Sequence, residues 1–576
     1  MRKHLWRYGL ALFCLLAAIW LWLPDPGAAL SQDERAEELP ALIGHLLNEQ
    51  GQAIAEAEVK VFFDSEEEPV AFAASREDGL WQVELPRLPE NTVSIEFHHT
   101  HFSADSIELE GEDVAILKQG ESLNLGEIEV QNRYAPGFWV AAFTFLFVLL
   151  VIALEKLPNA TAALLGVAIV FVTTFFGGNL ISEDLHIFDF ERALTYINWE
   201  VIFLVMGMMI VVSVIESTGV FQWLAFQAYR WSRGQPRVLV VVLIIITTMA
   251  SALLDNVTTM LLMVPITLEI AIALGLPPTS LLIPEILASN IGGITTLIGT
   301  PTNILIGAYA EISFNDFLIN QTIGVIIALA VMTVYVLWFF RDTFNQVEKG
   351  ISPTLYAKLE ENAQIKNPVV LRKSLFVFAV TIVVFAIGEG LHMVPAVTAL
   401  LAATAMLVWV ETDVQKMLSL VDWTTLVFFM ALFMLVGSIQ EVGLIATVAG
   451  FMGDVVGTNL YAGVFVIVFG VGALSFAIAN IPLAASMLPV VEYLSGNISG
   501  AVSNKILYYG LSMGAAMGGN GFLIGGETNL MTAGIAERAG YPLSFGRFAK
   551  VSIPVTLLTL LVGSLWLLFR FEILGG

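Results

Sequence analysis

The sequence predicts an α-helical polytopic membrane protein with two inverted repeats, each holding a re-entrant hairpin and a broken helix, plus a small N-terminal β-sandwich domain. Three observations carry that prediction. The 576 residues are 57% hydrophobic with a mean hydropathy of +0.79, a composition that belongs to a membrane protein. Residues 247–307 hold two polar knots inside apolar surroundings, Asp255-Asn256-Val257-Thr258-Thr259 and Gly299-Thr300-Pro301-Thr302-Asn303. The same design returns at 468–537, with Ala479-Asn480-Ile481-Pro482 at a second tip and Gly525-Gly526-Glu527-Thr528-Asn529 at a second break. Interrupted hydrophobic segments in matching positions of two halves point to an inverted-repeat transporter.

Taken in order, the chain opens with Arg2, Lys3 and Arg7 before an apolar run at 8–23, followed by Gly27-Ala28-Ala29. Residues 1–30 therefore read as a signal peptide or a signal anchor, and either places the next segment outside. Residues 37–131 are the extensive polar segment. Between residues 31 and 133 there are 24 acidic and 6 basic side chains, most of the chain's net charge of −25. That sign is wrong for nucleic acid. Alternating runs at AEVKVFF, LWQVEL, TVSIEF, SIELE and LGEIEV, separated by turn residues such as Glu77-Asp78-Gly79, predict the β-sandwich. His98, His99 and His101 carry metal-ligand chemistry, but read first as solvated strand-end side chains. The lone Cys14 excludes a disulfide within the chain.

Repeat 1 spans 137–340, a linker spans 341–373, and repeat 2 spans 374–576. Expected spans are 138–155, 160–177, 199–217, a hairpin at 237–275, a broken helix at 281–310, and 322–340. The second half gives 374–390, 395–410, 424–441, a hairpin at 460–495, a broken helix at 505–536, and 551–570. Amphipathic pieces at about 218–230 and 443–456 precede the two hairpins. With the β domain outside, the inner loops collect Arg230, Arg233, Arg237, Arg341, Lys349, Lys366, Arg372, Lys373, Arg538, Arg547 and Lys550, while the outer loops of this part keep Arg192 and Lys505. The positive-inside asymmetry thus agrees with a cytoplasmic linker and an extracytoplasmic β domain.

The two knots interrupt hydrophobic runs that read as too short to cross alone, since a span needs ~20 apolar residues for ~30 Å of hydrocarbon. Irregular backbone at that depth survives where protein or a cavity satisfies it. Asp255 stands out, because a carboxylate at the bilayer centre costs about 3 kcal/mol and recruits a proton, a cation or water. It also suits a helix N-cap. Asn256, Thr258, Thr259, Gly299, Thr300, Pro301 and Asn303, with Asn290 nearby, make the first half of a substrate and ion site. Asn480, Pro482, Asn520, Glu527, Thr528 and Asn529 make the second. Asp255, Asn256 and Asn480 are candidate Na⁺ ligands. Neither hairpin core holds Lys or Arg, so an anion would rest on helix N-termini, amides, hydroxyls and a co-bound cation. Glu285 reads either as a buried structural hydrogen-bonding group or as a protonation site. Glu216, Glu269 and Glu492 read as solvated near the interfaces. The glycines at 292–293 and 518–521 read as close packing, and the absence of a P-loop argues against an ATP-driven pump in this chain alone.

SALLDNVTTMLLMVPIT, ASNIGGITTLIGTPTNILIG, VDWTTLVFFMALFMLVGSI and GGNGFLIGGETNLMTAGIAERAGYPLSF resemble the P-protein-like branch of the ion transporter superfamily, which also includes arsenite permeases, NhaD antiporters, citrate carriers and divalent anion symporters. GHLLNEQGQAIAEAEVKVF and REDGLWQVELP resemble the carboxypeptidase regulatory-like domain. The first resemblance implies hairpins meeting at mid-membrane and a homodimer. It also implies an aspartate at both tips, which this chain has only at Asp255, with Ala479 opposite. Glu527 is read as replacing the missing carboxylate. The expectation is a non-enzymatic, multi-pass inner-membrane transporter without cofactor, coupled to Na⁺ or H⁺ and carrying a small carboxylate. The alternatives are Na⁺/H⁺ antiport or an arsenite or oxyanion permease.

Overall fold

In a computed structural model of the chain, the described residues run from 40 to 575 with short gaps, the longest at 347–352. The expected signal segment at 1–30, Cys14 and His101 lie outside them.

Two units are formed, divided at Val130. The first contains β1 (Ala41–Asn48), β2 (Glu58–Phe63), β3 (Ala71–Ala74), β4 (Leu80–Glu84), β5 (Val93–His99), β6 (Phe102–Leu109), helix α1 (Glu112–Lys118) and β7 (Leu123–Val130). One sheet has the order β4-β1-β7 and the other β3-β2-β5-β6. Leu42 of β1 sits opposite Val83 of antiparallel β4 and Leu123 of parallel β7. Period-two alternation buries Val59, Val61 and Phe63 from one sheet and Trp81 and Val83 from the other. Trp81 and Phe97 meet edge to face at 5.6 Å, joining the sheets over one core. β1 escaped the sequence reading because Gly44 and His45 break its alternation. Gly44 is needed there: a Cβ would stand 2.9 Å from the Trp81 ring. α1 and the four-residue β3 were also not anticipated.

The second unit is helical, and its order repeats. The first half has α2 (Pro136–Ala153), α3 (Asn159–Gly178), α4 (Trp199–Glu216), α5 (Val220–Ser232), hairpin arms α6 (Pro236–Leu253) and α7 (Asn256–Ala273), the broken helix α8 (Thr279–Gly293) and α9 (Pro301–Tyr309), and α10 (Phe314–Phe339). The second has α11 (Pro368–Gly388), α12 (Pro395–Val410), α13 (Trp423–Glu441), α14 (Leu444–Val456), hairpin arms α15 (Leu460–Leu474) and α16 (Asn480–Asn497), the broken helix α17 (Ile506–Gly518) and α18 (Glu527–Arg538), and α19 (Phe545–Leu568). Among the described residues nine helices are long and apolar enough to cross a membrane. The repetition reaches single residues. Gly219 (φ 81°) and Gly443 (φ 79°) turn the chain in the left-handed region before α5 and α14. Pro265 and Pro489 each fall nine residues after their tip asparagine.

Loops assigned to one side by charge also touch each other. Arg237 donates to Asn345 at 2.7 Å, and Asn362 to Glu269 at 3.1 Å. On the other side Arg192 pairs with Glu441 at 3.2 Å, and Lys505 donates to the Glu311 carbonyl at 2.9 Å. One reading of the sequence needs correction. α6 and α7 have 18 residues each, enough to cross by length. The chain turns at the tip because Leu254 and Asp255 go extended, not because the arms are short.

Candidate substrate and ion site

Both hairpins turn through short extended links. α6 stops as Leu254 goes extended, and Asp255 (φ −65°, ψ 151°) then caps α7 by accepting the Thr258 N–H at 2.8 Å. The cap and the cavity lining are therefore served by one side chain. At the second tip Ala479 takes the same position without a side-chain cap. Asn480 Nδ2, in the orientation its neighbours satisfy, donates to the carbonyls of Ala515 and Gly525 at 3.1 and 3.3 Å.

The breaks are built alike. Thr300 (φ −149°, ψ 144°) and Gly526 (φ −151°, ψ 141°) hold equivalent extended positions before α9 and α18. Asn303 Nδ2 donates to the carbonyls of Ile294 and Thr296 at 3.1 and 2.8 Å, and Asn529 Nδ2 to those of Gly519 and Phe522 at 2.8 and 3.0 Å. These two amides bridge the carbonyls at the break and help satisfy the backbone buried there. The chain crosses itself closely here. A Cβ on Gly299 would lie 2.4 Å from the Gly293 carbonyl oxygen, and one on Gly525 2.8 Å from that of Gly519.

A cavity of about 30 Å³ lies where the tips and breaks meet, lined by Asn256, Thr300, Pro301, Asn480, Glu527 and Thr528 among others. α7, α9, α16 and α18 all begin at it, so the positive ends of four helix dipoles converge. A larger cavity of about 260 Å³ leads from Asp255, Thr258 and Glu527 to Glu216 and Asp422, at the ends of α4 and α13. Its Glu216 end lies two residues from Thr218, whose carbonyl accepts the N–H of Lys366 in the linker at 2.9 Å. Neither lining contains Lys, Arg or His. Asp255, Asp422 and Glu527 lie within electrostatic range of one another. Among the described residues no three carboxylate, His or Cys side chains gather closely enough to hold a metal ion. The acids thus line a path and do not form a cage.

The remaining site residues divide by role. Asn256 Nδ2 donates to Asn290 Oδ1 at 2.8 Å, and Asn290 Nδ2 to Asn520 at 2.8 Å and Asn529 at 3.0 Å. This amide ladder ties repeat 1 to repeat 2 through Asn290, Asn520 and Asn529, which are absent from both cavity linings. Thr259 is buried between helices, and Pro482 sits in the first turn of α16, neither lining a cavity. Glu527 stands where repeat 1 has Pro301, and it accepts from Asn159 Nδ2 at 2.8 Å. Glu216, expected at a solvated interface, instead lines the acidic cavity. Glu269 and Glu492 are exposed and accept from Asn362 and Tyr309. Asp422 went unnoticed in the sequence. It caps α13, accepting from the Thr424 and Thr425 N–H groups at 3.0 and 3.2 Å, and only its match with Asn198 before α4 could have marked it.

The family model described as "Citrate transporter" (CitMHS) matches residues 149–514. An uncharacterized transporter of Mycobacterium tuberculosis is 34% identical over 435 residues, covering 76% of this chain and 99% of that protein. An uncharacterized transporter of Synechocystis is 32% identical over 452 residues, covering 74% and 96%. The human P protein is 30% identical over 455 residues, covering 66% of this chain and 54% of that protein. The solved YdaH transporter of Alcanivorax borkumensis aligns with a TM-score of 0.47 at 13% identity, over 76% of this chain and 98% of that one.

Proposed function

The chain belongs to the CitMHS citrate transporter family, a family of membrane transporters, and from that premise we propose that it moves a small carboxylate together with Na⁺ or H⁺. The observation that carries the reading is the convergence of four helix N-termini on one small cavity. Each such terminus presents about half a positive charge, which suits a carboxylate without any Lys or Arg. The acids of the adjoining cavity serve the other half of the task. A polyanion passing Glu216, Asp255, Asp422 and Glu527 is repelled unless cations or protons accompany it, so the lining favours co-transport. The carrier acts in the inner membrane as a homodimer with its β domain outside, and it releases its cargo chemically unchanged.

Exchange of Na⁺ for H⁺ is the second reading, favoured by the same four carboxylates. One experiment separates the two. In proteoliposomes holding purified protein, labelled citrate should accumulate when a Na⁺ or H⁺ gradient is imposed. Proton movement on adding Na⁺ with no carboxylate present, and no citrate uptake, would establish the antiporter instead.

A further inference from the structure

α7, α8 and α18 pack together on the linker side of the small cavity. α8 is buried along its whole length, and Glu285 within it is fully buried. One oxygen of this carboxyl accepts from the Thr267 hydroxyl at 3.0 Å, while the other has no partner. Three buried threonine hydroxyls on the surrounding helices are likewise unpaired: Thr259 on α7, and Thr528 and Thr532 on α18. α7 and α18 start together at the small cavity, which Thr528 lines, and Thr259 and Thr532 follow within about one turn. At the far end Thr279 opens α8 onto a second cavity of about 510 Å³, lined also by Arg547. Glu285 lies about 9 Å along α8 from it.

No charge among the described residues answers this carboxyl. The ionisable groups on the packed helices are Arg237, Glu269, Asp316, Tyr335, Tyr508, Tyr509, Glu527, Glu537, Arg538, Arg547 and Lys550, and none bonds to it. Nor does packing require it. The equivalent place in the other half, where α9, α16 and α17 meet, holds Ile306, Leu483, Val491 and Leu511 in place of Thr532, Thr259, Thr267 and Glu285. All four are buried, so an apolar set fills the same three-helix junction. An unpaired buried polar atom is destabilising, and the polar stripe carries one on each of Glu285, Thr259, Thr528 and Thr532. A polar set of Thr259, Thr267, Glu285 and Thr532, kept on one side only and lying between two cavities, has the character of a path.

We propose that Glu285 is a proton-handling site, passing protons between the Arg547-lined cavity and the central cavity by way of the Thr259, Thr528 and Thr532 hydroxyls. Only O–H bonds form and break: the unpartnered oxygen takes a proton from one side and releases it to the other. The role rests on the carrier reading above, since it assigns that carrier its proton coupling.

The test uses the full-length protein in proteoliposomes with labelled citrate. Glu285→Gln, and Glu285→Leu with Thr267→Val to copy the apolar junction, should lower accumulation driven by a pH gradient about 100-fold, with citrate–citrate exchange within about twofold of wild type. Gradient-driven accumulation at the wild-type level in a variant that exchanges citrate would overturn the proposal. Infrared spectra in H₂O and D₂O read Glu285 without transport. The wild type should show a deuterium-sensitive carboxyl band that Glu285→Gln lacks, and identical spectra would equally overturn it. Wild-type protein that exchanges no citrate would mean that the carrier reading has failed, while the infrared comparison still decides Glu285.

Discussion

At the residue scale, Asp255 joins a local and a long-range task. Its oxygen caps α7, and its side chain faces the acidic cavity. Asn caps a helix about as well as Asp, whereas Ala loses about 1 kcal/mol. Asp255→Asn should therefore express normally but need about tenfold more Na⁺ or H⁺ for half-maximal uptake, the effect of about 1.4 kcal/mol. Asp255→Ala should lose thermal stability as well. Glu527→Ala should show the same cation defect, and adding Ala479→Asp should recover part of it. Uptake whose cation dependence is unchanged in both Asp255→Asn and Glu527→Ala would rule these groups out as coupling sites. The knots were legible in the sequence because polar side chains inside apolar runs are costly there and so mark a break, a cap or a site. Glu216 and Asp422 were not, since an acid at a helix end looks the same whether it faces water or a cavity. Only the fold that brings α4 and α13 to the hairpin tip distinguishes them.

At the scale of elements, the hairpins and breaks were read correctly in order and kind, because their interruptions recur at the same spacing in both halves. Their boundaries were less legible. α10 begins at Phe314 and not near 322, because Ser313 and Asp316 form a capping box that starts the helix in polar sequence. Sidedness is an element-level property with a direct check. In a Cys14→Ala background, Glu90→Cys should react with an impermeant thiol reagent in intact cells, and Glu361→Cys should react only after permeabilisation. The reverse pattern would invert the topology. In the β unit, Asp64 accepts the N–H groups of Asn91 and Thr92 at 3.0 and 2.9 Å, which hold its carboxyl below the usual carboxylate range. A depressed folded value stabilises above the unfolded pKa of about 3.9 and is lost as the pH falls through the folded one. Asp64→Ala should therefore make the 64–92 connection easier to cut by protease at neutral pH, and the difference from wild type should vanish in acid.

At the scale of the whole molecule, the chain divides into a β unit and a helical unit that shares no motif with it. Deleting residues 37–131 while keeping the first membrane segment should leave uptake per inserted molecule largely intact; complete loss in a correctly inserted protein would show that the β unit takes part in transport. Within the helical unit the backbone repeat is close, but its filling is not. Thr259, Thr267, Glu285 and Thr532 occupy one three-helix junction, and Leu483, Val491, Leu511 and Ile306 the other. The imposed gradients alone set the concentration ratio at which net flux stops, however the carrier is built. A carrier whose two half-cycles pass through unlike surroundings nevertheless has unlike half-saturation concentrations at its two faces. Its maximal rates inward and outward must then differ by the compensating factor, so that right-side-out and inverted vesicles will report two different kinetic constants for one and the same equilibrium.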